Sequence, residues 1–123
     1  MNAQDQRSGR SLWLLIVGPV VWIAHFLLSY VTAAVYCAKA DGTGLAPVRL
    51  AVGAYTALAL IGLVATGVHA MRRTESGETA TRRQGRAADR RRFIGSATAL
   101  LCGLSGLATL YVAIVALFFE SCR

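Results

Sequence analysis

Three long stretches without a charged residue constrain this chain more than any other feature of its sequence. They cover residues 11–38, 50–71 and 93–119. Each is at least as long as the roughly 20 apolar residues that a helix needs to cross a bilayer core. A chain of 123 residues is too short to bury three such segments in a water-soluble core. The sequence therefore predicts an all-α integral membrane protein, with transmembrane helices over about residues 12–36, 49–71 and 93–119.

The three predicted helices form a single domain, residues 1–123, since the chain is the size of one small domain. Consecutive spans cross the bilayer in opposite directions, so we expect an up-down-up bundle. A cleaved signal peptide is the alternative for the first span, because "AKA" at residues 38–40 resembles a cleavage site. The apolar run is, however, about twice as long as a secretory core of about 7–15 residues.

Arginine and lysine are distributed unevenly between the two sides of the predicted membrane. With the N-terminus inside, ten of them lie on the cytoplasmic side and three on the outside. Positive charge is retained inside, so we expect a cytoplasmic N-terminus, a cytoplasmic basic loop at residues 72–92 and a periplasmic C-terminus. Twelve of the thirteen basic residues are arginine, which is typical of GC-rich bacterial genomes and indicates a bacterial inner membrane.

The basic loop has no aromatic residue that would stack on bases, which argues against nucleic acid as its partner. Basic residues that flank membrane spans are attracted to anionic lipid. We therefore expect the loop to contact anionic lipid headgroups.

Two of the three cysteines fall at the same predicted membrane face. Cys37 ends the first span and Cys122 follows the third, both on the outside. The periplasm is oxidising, so we predict a disulfide between them, with two free thiols as the alternative. Cys102 lies in the middle of the third span and is predicted to be a small packing residue.

Each predicted span has one face of polar or small residues at helical spacing, and such a face should turn toward protein. On the first span, the candidate ligand or partner face consists of Trp22, His25, Ser29, Thr32 and Tyr36, with Gly18 at its start. On the second span, the face consists of Tyr55, Ala59, Gly62, Thr66 and His69. On the third span, it consists of Thr98, Cys102, Ser105 and Thr109. Small residues allow close helix approach, and the predicted packing positions are Gly62, Gly95, Ala99 and Gly103.

His25 lies near the centre of the first span, where an ionisable residue is costly and often functional. We expect Gly62 to make room for Trp22 and His25, and Ser105 to offer His25 a hydrogen bond. His69 lies about 12 Å from its own span centre, so the two histidines are at different depths. One chain is therefore not expected to hold haem b through both histidines, whereas two His25 side chains could meet in a symmetric dimer.

The sequence lacks the patterns that accompany catalysis. No Asp or Glu lies within a span, and there is no CxxC motif, zinc spacing or phosphate-binding glycine loop. We therefore predict that the protein is not an enzyme and that it has no metal site.

The stretch "GPVVWIAHFLLSY" resembles the first helix of a group of small, uncharacterised bacterial membrane proteins. The likeness rests on Gly18, Pro19, Trp22, His25, Phe26 and Tyr30, in the pattern Gly-Pro-x-x-Trp-x-x-His-Phe. These proteins are often encoded beside haem–copper respiratory oxidase genes. The resemblance implies a partner, which would be an oxidase complex or its assembly apparatus.

Together these observations favour a non-enzymatic accessory protein that packs against a larger membrane complex. Its expected partners are the bilayer and either another membrane protein or further copies of itself. A haem- or quinone-binding redox protein that uses His25 is the main alternative. A small transporter or channel subunit is the second alternative.

Overall fold

A computed structural model describes residues 3–40, 44–78 and 85–118, together with residue 122. Three helices make up almost all of them: α1 (Ala3–Lys39), α2 (Ala46–Glu78) and α3 (Gly85–Phe118). Pro47 lies in the first turn of α2, where a backbone N–H would make no hydrogen bond within the helix, so its absence costs nothing. The predicted all-α fold with three helices is confirmed.

The basic segment is shorter as a loop than the sequence predicted. The predicted boundaries, residues 72 and 92, follow the change from apolar to charged composition, but α2 continues to Glu78 and α3 begins at Gly85. Arginine, alanine and glutamate are good helix formers, so both helices extend beyond the apolar run. The correction leaves only residues 79–84 between the helices, and these lie outside the described part of the chain.

Each helix contains a segment that is long and apolar enough to cross a membrane. The segments are Leu12–Lys39, Ala46–Arg73 and Asp89–Phe118, with mean hydropathies of 2.1, 1.9 and 2.2. In each segment, no more than 22% of the most apolar 18-residue stretch is buried inside the bundle. An apolar surface of that extent is stable in lipid but not in water. The chain is therefore a multi-pass membrane protein.

The helices form an up-down-up bundle in which all three pack against one another. A disulfide joins Cys37 to Cys122 across 85 residues of sequence, with the two Cα atoms 5.6 Å apart. The predicted bridge is therefore present. We call this end of the bundle the disulfide end. The opposite end, at the end of α2 and the start of α3, carries most of the arginines and is called the arginine end.

The interior of the bundle is small and half of it is polar. The buried apolar residues are Val48, Val52, Ala59, Leu63, Ala70 and Cys102. The buried polar residues are His25, Ser29, Thr56, Thr98, Ser105 and Thr109. Long apolar side chains lie mainly outside, because lipid accommodates them as well as a core would. This division is the reverse of that in a soluble bundle.

Two helix backbones approach each other closely at Gly18. A Cβ atom there would lie 3.3 Å from Ser105 Oγ and 3.4 Å from the carbonyl group of Leu101. Gly18 therefore lets α1 reach the backbone of α3, in the way that small residues do in membrane helix pairs.

Two predicted packing positions, Gly62 and Gly103, are wrong. A Cβ atom at either would have no heavy atom within 4 Å. Gly95 is buried and Ala99 half-buried, but Gly103 is exposed. The physical reason is geometric, since steps of four residues in a helix with 3.6 residues per turn drift about 40° each. Two such steps carry Gly103 away from the interface that Gly95 faces.

We expect overpacking in Gly18→Ala to lower the free energy of unfolding by about 1–3 kcal/mol. The higher helix propensity of alanine offsets part of this loss. Gly103→Ala is the matched control and should leave the free energy of unfolding unchanged or slightly higher. Titration of the purified protein in mild detergent with a denaturing detergent measures both. Equal stability of the two variants would show that Gly18 is not a point of close contact.

Candidate functional site

His25 is the ionisable side chain buried in the middle of the bundle. Its ring is only 3% exposed, and it lies at the midpoint of the first membrane segment. Nε2 is 3.0 Å from the hydroxyl oxygen of Thr56 on α2. The contact joins two helices through residues that are 31 positions apart in the sequence. Lipid offers no alternative hydrogen-bond partner there.

The hydrogen-bond geometry fixes which nitrogen of His25 carries the proton. The hydroxyl of Thr56 is 2.7 Å from the carbonyl oxygen of Val52, to which it donates its one hydrogen. The same hydroxyl must therefore accept a hydrogen bond from His25. It follows that His25 is protonated at Nε2 and that Nδ1 carries a lone pair.

Two polar atoms next to this bond are buried without a hydrogen-bond partner among the described residues. They are Nδ1 of His25 and Oγ of Ser29, one helical turn apart on α1. An unpaired buried polar atom costs about 1–3 kcal/mol. The bond to Thr56 therefore holds His25 in a position that satisfies only one of its nitrogens.

The hydrogen-bond partner predicted for His25 was wrong. Ser105 lies beside Gly18 and not beside His25. His25 and Ser105 both lie near the centres of their own spans, but α1 is displaced along its axis relative to α3. His25 is seven residues beyond Gly18 in the sequence, so it lies about 10 Å nearer the disulfide end than Ser105 does.

Thr56 was not among the predicted face residues, because the buried face of α2 is rotated by one residue from the prediction. The prediction followed polar and aromatic residues through Tyr55, Gly62 and His69. The observed face follows their neighbours, which are Thr56, Leu63 and Ala70. The sequence does contain the signal, since Val48, Val52, Thr56, Ala59 and Leu63 recur at steps of four and three.

The predicted ligand or partner face of α1 is divided by the structure. His25 and Ser29 point into the bundle, and Thr32 is half-buried. Tyr36 donates a hydrogen bond to the carbonyl oxygen of Gly44, at 3.0 Å, and so fixes the connection between α1 and α2. Trp22 is 36% exposed and lies on the outside, which corrects its predicted place opposite Gly62. The five residues therefore do not form one surface.

Trp22 belongs instead to an outward-facing row of three aromatic rings, which we call the aromatic ladder. The ring centroids of Trp22 and Phe26 are 6.4 Å apart, and those of Phe26 and Tyr30 are also 6.4 Å apart. The rings are inclined by 30° and 17°, so each stacks on the next. Residues four apart lie one above another on a helix, which explains the row.

Two exposed tyrosines lie inside the apolar runs of α1 and α3, away from the ends of the two membrane segments. Tyr30 is 65% exposed and Tyr111 is 71% exposed. Tyr30 is about 13 Å from the end of its span at Lys39, and Tyr111 about 10 Å from the end of its span at Phe118. Neither hydroxyl makes a hydrogen bond to the part of the chain that the structure describes.

The positions of the two histidines do not suit one haem. The bond between His25 and Thr56 sets His25 level with Thr56. His69 is thirteen residues further along α2, about 20 Å nearer the arginine end, and it is exposed. A pair of His25 rings from two copies would also require the bundle to open, because each ring is enclosed. Among the described residues, no group of three or more His, Cys, Asp or Glu is placed to hold a metal ion.

Comparison of the chain with known protein families, curated proteins and solved structures finds no significant match.

Proposed function

We propose that this protein is a small, non-enzymatic accessory protein that packs against a larger membrane complex through the aromatic ladder. The observation that carries the proposal is the position of Tyr30. Its side chain is exposed on the bundle surface about 13 Å from the end of its membrane segment, where we expect the surroundings to be hydrocarbon. Transfer of a hydroxyl from water to hydrocarbon costs about 4–8 kcal/mol when it finds no partner.

The direction of the ring makes it hard for lipid headgroups to satisfy Tyr30. Side chains on a helix lean toward its N-terminus, which for α1 is away from the disulfide end. The stacking of Tyr30 on Phe26 has this direction. The ring therefore leads toward the bilayer centre and not toward the nearer membrane surface. A polar group on a neighbouring protein is the partner that this geometry favours.

Aromatic rings are well suited to such a contact. They bury a large area and lose little conformational freedom, and the stacked row holds them in fixed positions. The bundle itself does not bury the ladder, since all three rings belong to its exposed surface. The ladder is thus available to a partner without any change in the fold.

The resemblance of the first helix supports a finer proposal, that the partner is a respiratory oxidase or its assembly apparatus. Five of the six residues of the resemblance separate into two groups in this fold. Gly18 and His25 hold the bundle together, whereas Trp22, Phe26 and Tyr30 form the ladder. A motif that includes an outward row of aromatics is what a shared partner surface would produce.

The two alternative functions receive less support. A redox role would need a ligand to reach His25, whose side chain is 3% exposed and enclosed by the bundle. A transport role would need a polar path, but Thr98 and Thr109 donate their hydroxyl hydrogens to carbonyl groups of their own helix. A redox role would therefore require the bundle to open, and a transport role would require these buried hydroxyl groups to change their hydrogen bonds.

A photo-crosslinking residue in place of Tyr30 tests the proposed surface in native membranes. We expect it to form one defined adduct with another membrane protein. A crosslinker in place of Leu58, which is 70% exposed on α2, is the matched control and should yield only lipid adducts. Adducts at position 30 with lipid alone, or with a second copy of this chain, would contradict the proposed role.

We also propose a bacterial inner membrane with the arginine end in the cytoplasm. Ten basic residues against three support this orientation. The disulfide supports it independently, because it lies at the opposite end of the bundle and forms in an oxidising compartment such as the periplasm.

A reporter enzyme that is active only in the periplasm tests this orientation. Fused after Arg123 it should be active, and inserted between Thr74 and Ala88 it should be inactive, because basic flanks are retained inside. The reverse pattern of activity would overturn the orientation.

A further inference from the structure

An open groove runs between the end of α2 and the start of α3, at the arginine end of the bundle. It encloses about 390 Å³. Its lining residues are Met71, Arg92, Gly95, Ser96, Ala99 and Leu100. The small side chains on α3 leave the hollow, because Gly95, Ser96 and Ala99 fill little of the space beside Met71.

The groove changes in character along its length. Arg92 lies near the beginning of the third membrane segment, which starts at Asp89. Leu100 lies eight residues further along α3, about 12 Å deeper in the membrane. One end of the groove is therefore cationic and at headgroup level, and the other is apolar and at acyl-chain level. An amphipathic groove of this kind matches a phospholipid.

Electrostatics select the kind of phospholipid. At this end of the bundle, the described side chains include six exposed arginines and one exposed acidic residue, Asp89. The arginines are Arg72, Arg73, Arg86, Arg90, Arg91 and Arg92. Each basic residue near the membrane surface attracts anionic lipid by about 1 kcal/mol, and guanidinium groups match phosphate geometrically.

We propose that this groove is a binding site for one anionic phospholipid. Its acyl chain lies along Gly95, Ala99 and Leu100, and its phosphate contacts Arg92 and the hydroxyl of Ser96. The site holds a particular lipid molecule at a particular place, which general attraction of lipid to basic residues does not. The proposal depends on the membrane location of the bundle and not on the partner surface at Tyr30, so the two can fail separately.

Native mass spectrometry of the protein from nanodiscs tests the site. The nanodiscs contain equal amounts of phosphatidylglycerol and phosphatidylcholine. We expect the released protein to retain one phosphatidylglycerol. Ser96→Leu fills the groove without changing charge and should abolish retention. Gly103→Leu is the matched control on the same helix, because Gly103 faces open surroundings outside the groove, and it should retain the lipid.

A second pair of variants keeps the test valid if Ser96→Leu disturbs insertion. Arg92→Gln should weaken the affinity for phosphatidylglycerol about fivefold, the effect of one basic residue near the surface. Arg86→Gln removes the same charge about 9 Å further from the groove and should have a smaller effect. Equal retention in Ser96→Leu and Gly103→Leu, equal loss from both arginine variants, or equal retention of phosphatidylcholine would overturn the site.

Discussion

A hydrocarbon environment offers no hydrogen-bond partner, and this constraint governs the arrangement of the whole bundle. A histidine at the middle of a span must find its partner within the protein. His25 does so by donating a hydrogen bond to Thr56, whose hydroxyl in turn donates a hydrogen bond to the carbonyl oxygen of Val52. The two bonds fix the rotation and the level of α1 against α2. Because α3 meets α1 at Gly18, its position follows from the same register.

The disulfide and the polar interior act on different parts of the fold. The bridge between Cys37 and Cys122 holds the outer ends of α1 and α3 together, but it leaves α2 unconstrained. The bond from His25 to Thr56 supplies a connection to α2 at the midpoint of the first membrane segment. The bridge and the hydrogen bond thereby define the interior, whereas we propose that function belongs to the outer surface. Both proposals, the partner at the aromatic ladder and the lipid at the arginine end, concern that surface.

The features that could be predicted from sequence are those set by composition and by residues that recur clearly at helical spacing. Three uncharged runs indicate three spans, and the face of α3 through Thr98, Cys102, Ser105 and Thr109 is buried as predicted. The face of α2 was displaced by one residue, because apolar residues such as Leu63 fill an interface as well as glycine does. The partner of His25 was missed because helices can slide along one another, and hydropathy sets the length of a span but not its register.

Whether His25 pins α1 to α2 can be measured with a double-mutant cycle of His25→Leu and Thr56→Val. Unfolding in mixed detergent micelles gives the free energies. The two substitutions should be coupled by about 0.6 kcal/mol, and by no more than about 1.7 kcal/mol, as for other hydrogen bonds between membrane helices. The pair His25→Leu and Thr109→Val should be additive, since Thr109 bonds within its own helix. Additivity in both cycles would show that the bond from His25 to Thr56 does not hold the bundle together.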